Sequence, residues 1–216
     1  MRDVLGDLGG GEVVGVQAEA DLLRVAHDRA GQAVAQVVRG LGLAATERAV
    51  DPHEHTVHGI HSGMADKGAE VTELDLRDDR VAARVHAVGL RAYRVEADLI
   101  GFDGIPALGE SVARMRALPL RWLGVAAPDP VAFLAYTDDD VVDVDRLCVD
   151  PDWFRRGLAR ALLTALLERT TGDVVVSTGA ANTPAITLYE RAGFTRTGTV
   201  SPVAGLTIAT FRLQRG

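Results

Sequence analysis

Asp150–Glu168 reads DPDWFRRGLARALLTALLE, and the fold turns on this stretch. Arg155, Arg156 and Gly157 stand where an alanine- and leucine-rich helix begins. The first turn of a helix leaves backbone N–H groups without intrahelical partners and carries the positive end of the macrodipole. A glycine at that place lets a ligand reach the backbone, because no side chain blocks the way. Arg155 and Arg156 add cationic charge beside those donors, and Ala159 keeps the approach open further along. Together these groups suit a phosphate or pyrophosphate. The competing reading is structural: Asp150 or Asp152 caps the helix and the arginines are solvated.

Working outward, VVDVDRLCVD (141–150) alternates apolar and polar residues as a strand does. Before it, VTELDL (71–76) alternates in the same way. DRVAARVHAVGLRAYRVEADLIG (79–101) reads as a helix with Val81, Val85, Val88 and Ala92 on one face. GESVARMRAL (109–118) is a short second helix ended by Pro119. RWLGVAA and VAFLAYTDDD flank PDP (128–130) as a hairpin. After the central helix, DVVVST (173–178) is a short strand apolar enough to be buried on both faces. TPAITLYERAG (183–193) is a helix with Pro184 in its first turn, and FTRTGTV and LTIATFRL are strands separated by SPVAG. The order is β-α-α-β-β-β-α-β-α-β-β.

Phe154-Arg155-Arg156-Gly157-Leu158-Ala159 resembles the acyl-CoA-binding motif of the GNAT superfamily of N-acetyltransferases, Q/R-x-x-G-x-G/A. Phe154 stands where Gln or Arg is usual. Downstream, ANTPAITLYERAGF resembles the family's block N-x-x-A-x-x-L-Y-E-x-x-G-F, matched at Asn182, Ala185, Leu188, Tyr189, Glu190, Gly193 and Phe194. The resemblance spans residues 69–216. It implies an α/β (mixed α+β) fold: one GNAT-like domain with a central mixed, mostly antiparallel sheet of about seven strands flanked by helices.

The same resemblance implies acetyl-CoA as acyl donor, held by main-chain groups of Leu147, Cys148 and Val149 on the fourth strand. Phe154, Arg155, Arg156, Gly157, Leu158, Ala159 and Arg160 would surround its pyrophosphate. Tyr189 has the place of the family's general acid for the departing thiolate, or else it only packs against the cofactor. Asn182 either touches the pantetheine arm or caps its helix. The N–H of Val149 is the candidate oxyanion donor. Asp143 has the place of a catalytic carboxylate and shares a strand face with Asp145, although a solvated edge is an equal reading. An ordinary aspartate is a poor base for an ammonium, so Asp143 would act through water or attract the amine. Cys148 reads as a small core residue. The implied reaction is direct acetyl transfer to a primary amine of a small molecule or peptide; the alternative is an acyl-CoA-binding regulatory module without turnover. Acceptor choice would rest with Ile105–Glu110 and Ser201–Gly205.

Composition limits the remaining classes. The chain of 216 residues is 47% hydrophobic and 25% charged, with a net charge of -7. That charge argues against nucleic-acid or anionic-membrane partners, and so against a tRNA acceptor. The single cysteine excludes an intrachain disulfide, no run approaches a membrane span, and the N-terminus lacks a signal-peptide pattern, which together predict a cytoplasmic protein. The arginine-rich basic set, with Lys67 the one lysine, reads as bacterial codon bias. Residues 1–68 form an N-terminal extension: a glycine-rich start, a helical pattern through Leu22, Ala26, Ala30, Ala33, Val37 and Leu41, and the His-rich linker DPHEHTVHGIHSGMADKG. His53, His55, His58 and His61 match no structural zinc spacing, and no metal is expected. Met64 is an alternative translation start. A homodimer is possible through the final strands.

Overall fold

The computed structural model describes residues 69–215. The N-terminal helical pattern, the His-rich linker and Met64 lie outside the described residues. The elements are β1 (Thr72–Glu73), α1 (Asp79–Ile100), a 3-10 turn (Pro106–Gly109), α2 (Val112–Arg116), β2 (Arg121–Ala126), β3 (Pro130–Thr137) and β4 (Val141–Val149). A second 3-10 turn (Pro151–Trp153), α3 (Leu158–Arg169), β5 (Asp173–Gly179), α4 (Thr183–Arg191), β6 (Thr195–Val203) and β7 (Leu206–Leu213) complete them. This is the expected order. The seven strands form one sheet, β1-β2-β3-β4-β5-β7-β6. Only β4 and β5 run parallel, and α3 makes the crossover that joins them.

The sheet buries both faces. One carries Val142, Val144, Val174, Val176 and Phe211 against Leu158, Leu162 and Leu166 of α3 and Tyr189 of α4. The other carries Trp122, Phe133, Ala135 and Cys148 against Ala82, Val85 and Val88 of α1 and Met115 of α2. α1 starts where Asp78 accepts hydrogen bonds from the N–H groups of Arg80 (2.8 Å) and Val81 (3.2 Å).

Two differences from the sequence reading concern the site or its rim. SPVAG is not a separate loop: β6 continues to Val203, which pairs with Leu206, and the turn tightens to two residues. Gly205, at φ 83°, supplies the left-handed backbone that such a turn demands. β4 also fails to alternate throughout. Its pairing with β3 skips a residue, with Ala135 opposite Arg146 and Tyr136 opposite Val144, so Asp145 is an extra residue in a bulge. The bulge puts Asp143, Asp145 and Arg146 on the α1 side. It also returns Leu147 and Val149 to the α3 side, where both pack on the core.

Candidate active site

The bulge coincides with a parting of strands. β4 and β5 pair from Val141↔Asp173 to Val144↔Val176 and no further. Beyond that point β4 stays with β3 and β5 stays with β7. A wedge therefore opens in mid-sheet toward Val149. The Asp150 N–H donates to Val131 O at 2.8 Å, so Asp150 faces β3. Backbone groups alternate along an antiparallel strand, which turns the N–H and C=O of Val149 and Leu147 into the wedge. Cys148 departs from expectation: it pairs with Phe133, and its main chain faces β3 rather than the wedge.

At the wide end of the wedge α3 begins at Gly157, whose φ is 77° and which has no side-chain cap. The first intrahelical bond runs from Ala161 N–H to Gly157 O at 2.9 Å, which leaves the N–H groups of Leu158, Ala159 and Arg160 ahead of it. A Cβ on Gly157 would meet only the Arg160 guanidinium, at 3.7 Å, so the helix mouth is open. Arg155 also takes a positive φ, 62°, unusual for a side-chain-bearing residue. Arg155, Arg156 and Arg160 are exposed there and join none of the ion pairs among the described residues. Arg156 lies over the Trp153 ring at 4.6 Å. Phe154 is 42% exposed, a large apolar side chain at the rim. Leu158 turns its side chain into the core, and Ala159 is half-buried.

Neither aspartate caps α3. Asp150 is 1% exposed and accepts the Asp152 N–H at 3.1 Å, closing the 3-10 turn before the helix. Arg84 (3.0 Å) and Arg91 (2.8 Å) of α1 grip its carboxylate, and Arg91 also reaches Asp152 at 3.0 Å. The arginines that settle the loop's position are thus on α1, two helical turns apart.

On the α1 side of the wedge, burial and the neighbouring Asp145 push the Asp143 carboxyl up to about 6. Asp145 accepts from Arg146 Nε at 2.8 Å, and Arg146 is gripped by Glu110 from the loop before α2, 3.1 Å from Nη2 to Oε1. Arg146 also lies 6.0 Å from the Trp122 ring. That loop is held again where His86 Nε2–H donates to Glu110 O at 2.7 Å. Burial drives the Cys148 thiol up to about 12, only partly offset by a hydrogen bond with Tyr93, so it carries no nucleophilic thiolate. Asp138–Asp140 lie before β4, roughly 30 Å of strand from the helix mouth, and form no rim to the wedge.

Tyr189 is 4% exposed, packed between Phe194 (5.8 Å between ring centroids) and Phe211 (5.7 Å). Burial, then the charges of Glu96 and Cys148, hold its phenol well above the ordinary tyrosine range and therefore protonated. Asn182, not Thr183, is the cap of α4: its Oδ1 accepts the Ala185 N–H at 3.2 Å. Its Nδ2 donates to Glu96 Oε1 and to Thr178 Oγ1, both at 3.1 Å. Both amide hydrogens are thereby committed within the protein, which favours the structural of the two readings of Asn182. Glu96 was not singled out from sequence, although a signal existed: it falls one turn past Ala92 on the stripe through Val85 and Val88.

Among the described residues no group of His, Cys, Asp and Glu is placed to hold a metal ion, and no helix is long and apolar enough to cross a membrane.

Residues 122–196 match the family model described as an acetyltransferase (GNAT) domain. The chain is 35% identical over 144 residues to the UPF0157 protein YqkA of Bacillus subtilis (strain 168), a match covering 65% of this chain and 42% of that protein's length. In fold, it is similar to the ribosomal-protein-S18-alanine N-acetyltransferase of Escherichia coli: TM-score 0.53, 20% identity, 68% of this chain and 94% of that one. It is also similar to the paia N-acetyltransferase of Thermoplasma acidophilum, solved with coenzyme A: TM-score 0.54, 14% identity, 65% and 96% covered. A third is yncA of Salmonella typhimurium, solved with acetyl-CoA: TM-score 0.53, 18% identity, 69% and 95% covered. Residues 122–196, which match the GNAT acetyltransferase domain model, hold both sequence blocks and the wedge between β4 and β5, and the fold around them is the one these solved structures share.

Proposed function

We propose that this domain transfers an acetyl group from acetyl-CoA directly to a primary amine. The observation that carries the reading is the wedge between β4 and β5, with the uncapped mouth of α3 at its wide end. The residues suit the donor: free first-turn N–H groups and three arginines for a diphosphate, and the strand-edge amides of Leu147 and Val149 for an extended amide-bearing arm. The thioester supplies an activated acyl carbon. Attack by the amine forms a C–N bond, breaks the C–S bond, releases one proton from nitrogen and leaves a thiolate needing another.

Each protein group then has one task. The N–H of Val149 donates to the oxygen that gains charge at the acyl carbon. Tyr189, protonated at neutral pH, donates to the thiolate. Asp143, at about 6, is ionised near neutrality; about five strand steps, roughly 17 Å, from Val149, it attracts the cationic amine and receives its proton through a relay of waters. The acceptor approaches from the α1 side, between the loop ending at Glu110 and the β6–β7 turn, whose Gly205 borders Phe102. Titration calorimetry with acetyl-CoA tests the donor; no binding at millimolar cofactor would end the proposal. Thiol release with a panel of polyamines, aminoglycosides and peptide N-termini tests turnover. Binding without release is instead the signature of a regulatory module, the reading that the apolar Phe154 favours.

Asp143 should act on activity and stability in opposite directions. kcat/KM is expected to rise with pH through about 6, as the carboxyl ionises, and Asp143→Asn should flatten that limb. Its folded value lies above the unfolded one, so its stabilising contribution is complete below about 4 and lost as pH rises through about 6. Asp143→Asn should therefore unfold at higher denaturant than the parent at pH 7, the two curves converging near pH 4. A parent curve without that fall would place the carboxyl in solvent.

Tyr189→Phe keeps the ring between Phe194 and Phe211 and removes only the hydroxyl. The rate should fall about a hundredfold, with acetyl-CoA affinity nearly unchanged. Pre-steady-state thiol release measures this; an unchanged rate assigns Tyr189 to packing alone.

A further inference from the structure

Glu96 has an uncommon position. It extends the apolar stripe of α1 toward that helix's C-terminal end, where it is half-buried, and it joins none of the ion pairs among the described residues. Its Oε1 instead gathers three neutral donors: Thr178 Oγ1 at 3.1 Å, the Gly179 N–H at 3.4 Å and Asn182 Nδ2 at 3.1 Å. Thr178 and Gly179 form the splayed end of β5, and Asn182 caps α4. Asn182 also donates to Thr178 Oγ1, which closes a ring of three side chains. α1 lies directly on this end of β5, since a Cβ on Gly179 would come 2.5 Å from Ile100 Cγ2.

We propose that Glu96 is a positioning residue for proton transfer: its carboxylate ties the splayed end of β5 and the first turn of α4 to α1, and so sets where the Tyr189 hydroxyl stands in the wedge. This rests on the reading of Tyr189 as proton donor. Tyr189 lies seven residues after Asn182, two turns on and on the same face of α4, so a shift of the first turn moves the phenol. Phe194 and Phe211 hold the ring at the other end of the helix, and nothing among those contacts holds the cap. A glutamine oxygen could accept the same bonds. The tie alone therefore leaves the charge of the carboxylate without a role. The charge does reach the site: after burial, Glu96 is the next cause holding the Tyr189 phenol up, ahead of Cys148, and it raises the Cys148 thiol as well.

The test uses the full chain as Glu96→Gln, Glu96→Ala, Tyr189→Phe and the double Glu96→Gln/Tyr189→Phe. Glu96→Gln is expected to fold, to bind acetyl-CoA within about threefold of the parent, and to lose roughly tenfold or more in kcat. Removing a negative neighbour makes the phenolate easier to form, so the alkaline limb of kcat should move to lower pH. The ultraviolet titration of the Tyr189 phenol, obtained by difference against Tyr189→Phe, should move with it and needs no turnover. The double variant should be no slower than Tyr189→Phe, because both changes act on one group.

Full kcat with an unmoved phenol titration in Glu96→Gln would overturn the proposal, as would losses that multiply in the double variant. Full rate in Tyr189→Phe would remove the donor reading itself, which is a different result from a slow Tyr189→Phe beside an unaffected Glu96→Gln. Should Glu96→Ala fail to fold, Glu96→Gln still decides the matter.

Discussion

Gly157→Glu is expected to reduce acetyl-CoA binding at least a hundredfold, to below detection in most assays. The residue sits at φ 77° with open space above it, so the new side chain would have room and would point into the space that the diphosphate needs. The left-handed backbone costs a side-chain-bearing residue about 1 kcal/mol. A carboxylate about 4 Å from phosphate charge adds roughly 1 to 4 kcal/mol of repulsion per charge, depending on solvent access. Summed over the two charges of a diphosphate, that repulsion is roughly 2 to 8 kcal/mol, a range that brackets the roughly 2.8 kcal/mol that a hundredfold change represents. Gly157→Ala is the control: it meets the same backbone cost without the charge and should lose only about tenfold in affinity. Both variants should keep their thermal transition within a few degrees, because the mouth is exposed and Leu158, the core residue beside it, is unchanged. If Gly157→Glu kept its affinity, the diphosphate would bind elsewhere and the role given to Arg155, Arg156 and Arg160 would go with it.

The second large effect concerns stability. Asp150 is buried to 1% exposure, and Arg84 and Arg91 bring it its opposite charge. Replacing both arginines by alanine leaves a buried carboxylate with the Asp152 N–H as its remaining hydrogen-bond donor. The expected cost is about 3–5 kcal/mol, read from urea unfolding. Each single variant should cost much less, since the other guanidinium remains, so the pair should be strongly non-additive. Adding Asp150→Asn to the double variant should recover part of the loss by removing the stranded charge. A double variant within about 1 kcal/mol of the parent would mean that water reaches Asp150. Affinity should follow stability here: Asp150 joins the end of β4 to the loop carrying Arg155–Gly157, so a looser Asp150 is a looser helix mouth.

Much of this domain could be read along the chain. The order of elements follows from hydrophobic period and from Gly and Pro positions, which report on neighbours a few residues apart. The helix mouth was legible because its parts are contiguous: two arginines, a glycine and the helix they open. β4 shows where such reading stops. Its residues look like one alternating strand, and the extra residue at Asp145 becomes visible only when β3 is laid beside it. That bulge decides which backbone groups face the wedge, so Leu147, Cys148 and Val149, adjacent in sequence, part into two that face it and one that does not. Asn182 could be read as a cap or as a ligand, and its partners on β5 and α1 decide between them.

What the chain determined by itself was the local geometry: where helices begin, where a glycine bares a backbone, and which strands are apolar. Tertiary structure decided the partners of the charged groups. Arg84 and Asp150 lie 66 positions apart, Arg146 and Glu110 36, and Asn182 and Glu96 86. Each pair exists because α1 and the loop after it pack on one face of the sheet beside the wedge. The physical reason is range: backbone preference and periodicity act within a turn or a strand, whereas a charge finds its partner only after hydrophobic burial has brought distant elements together.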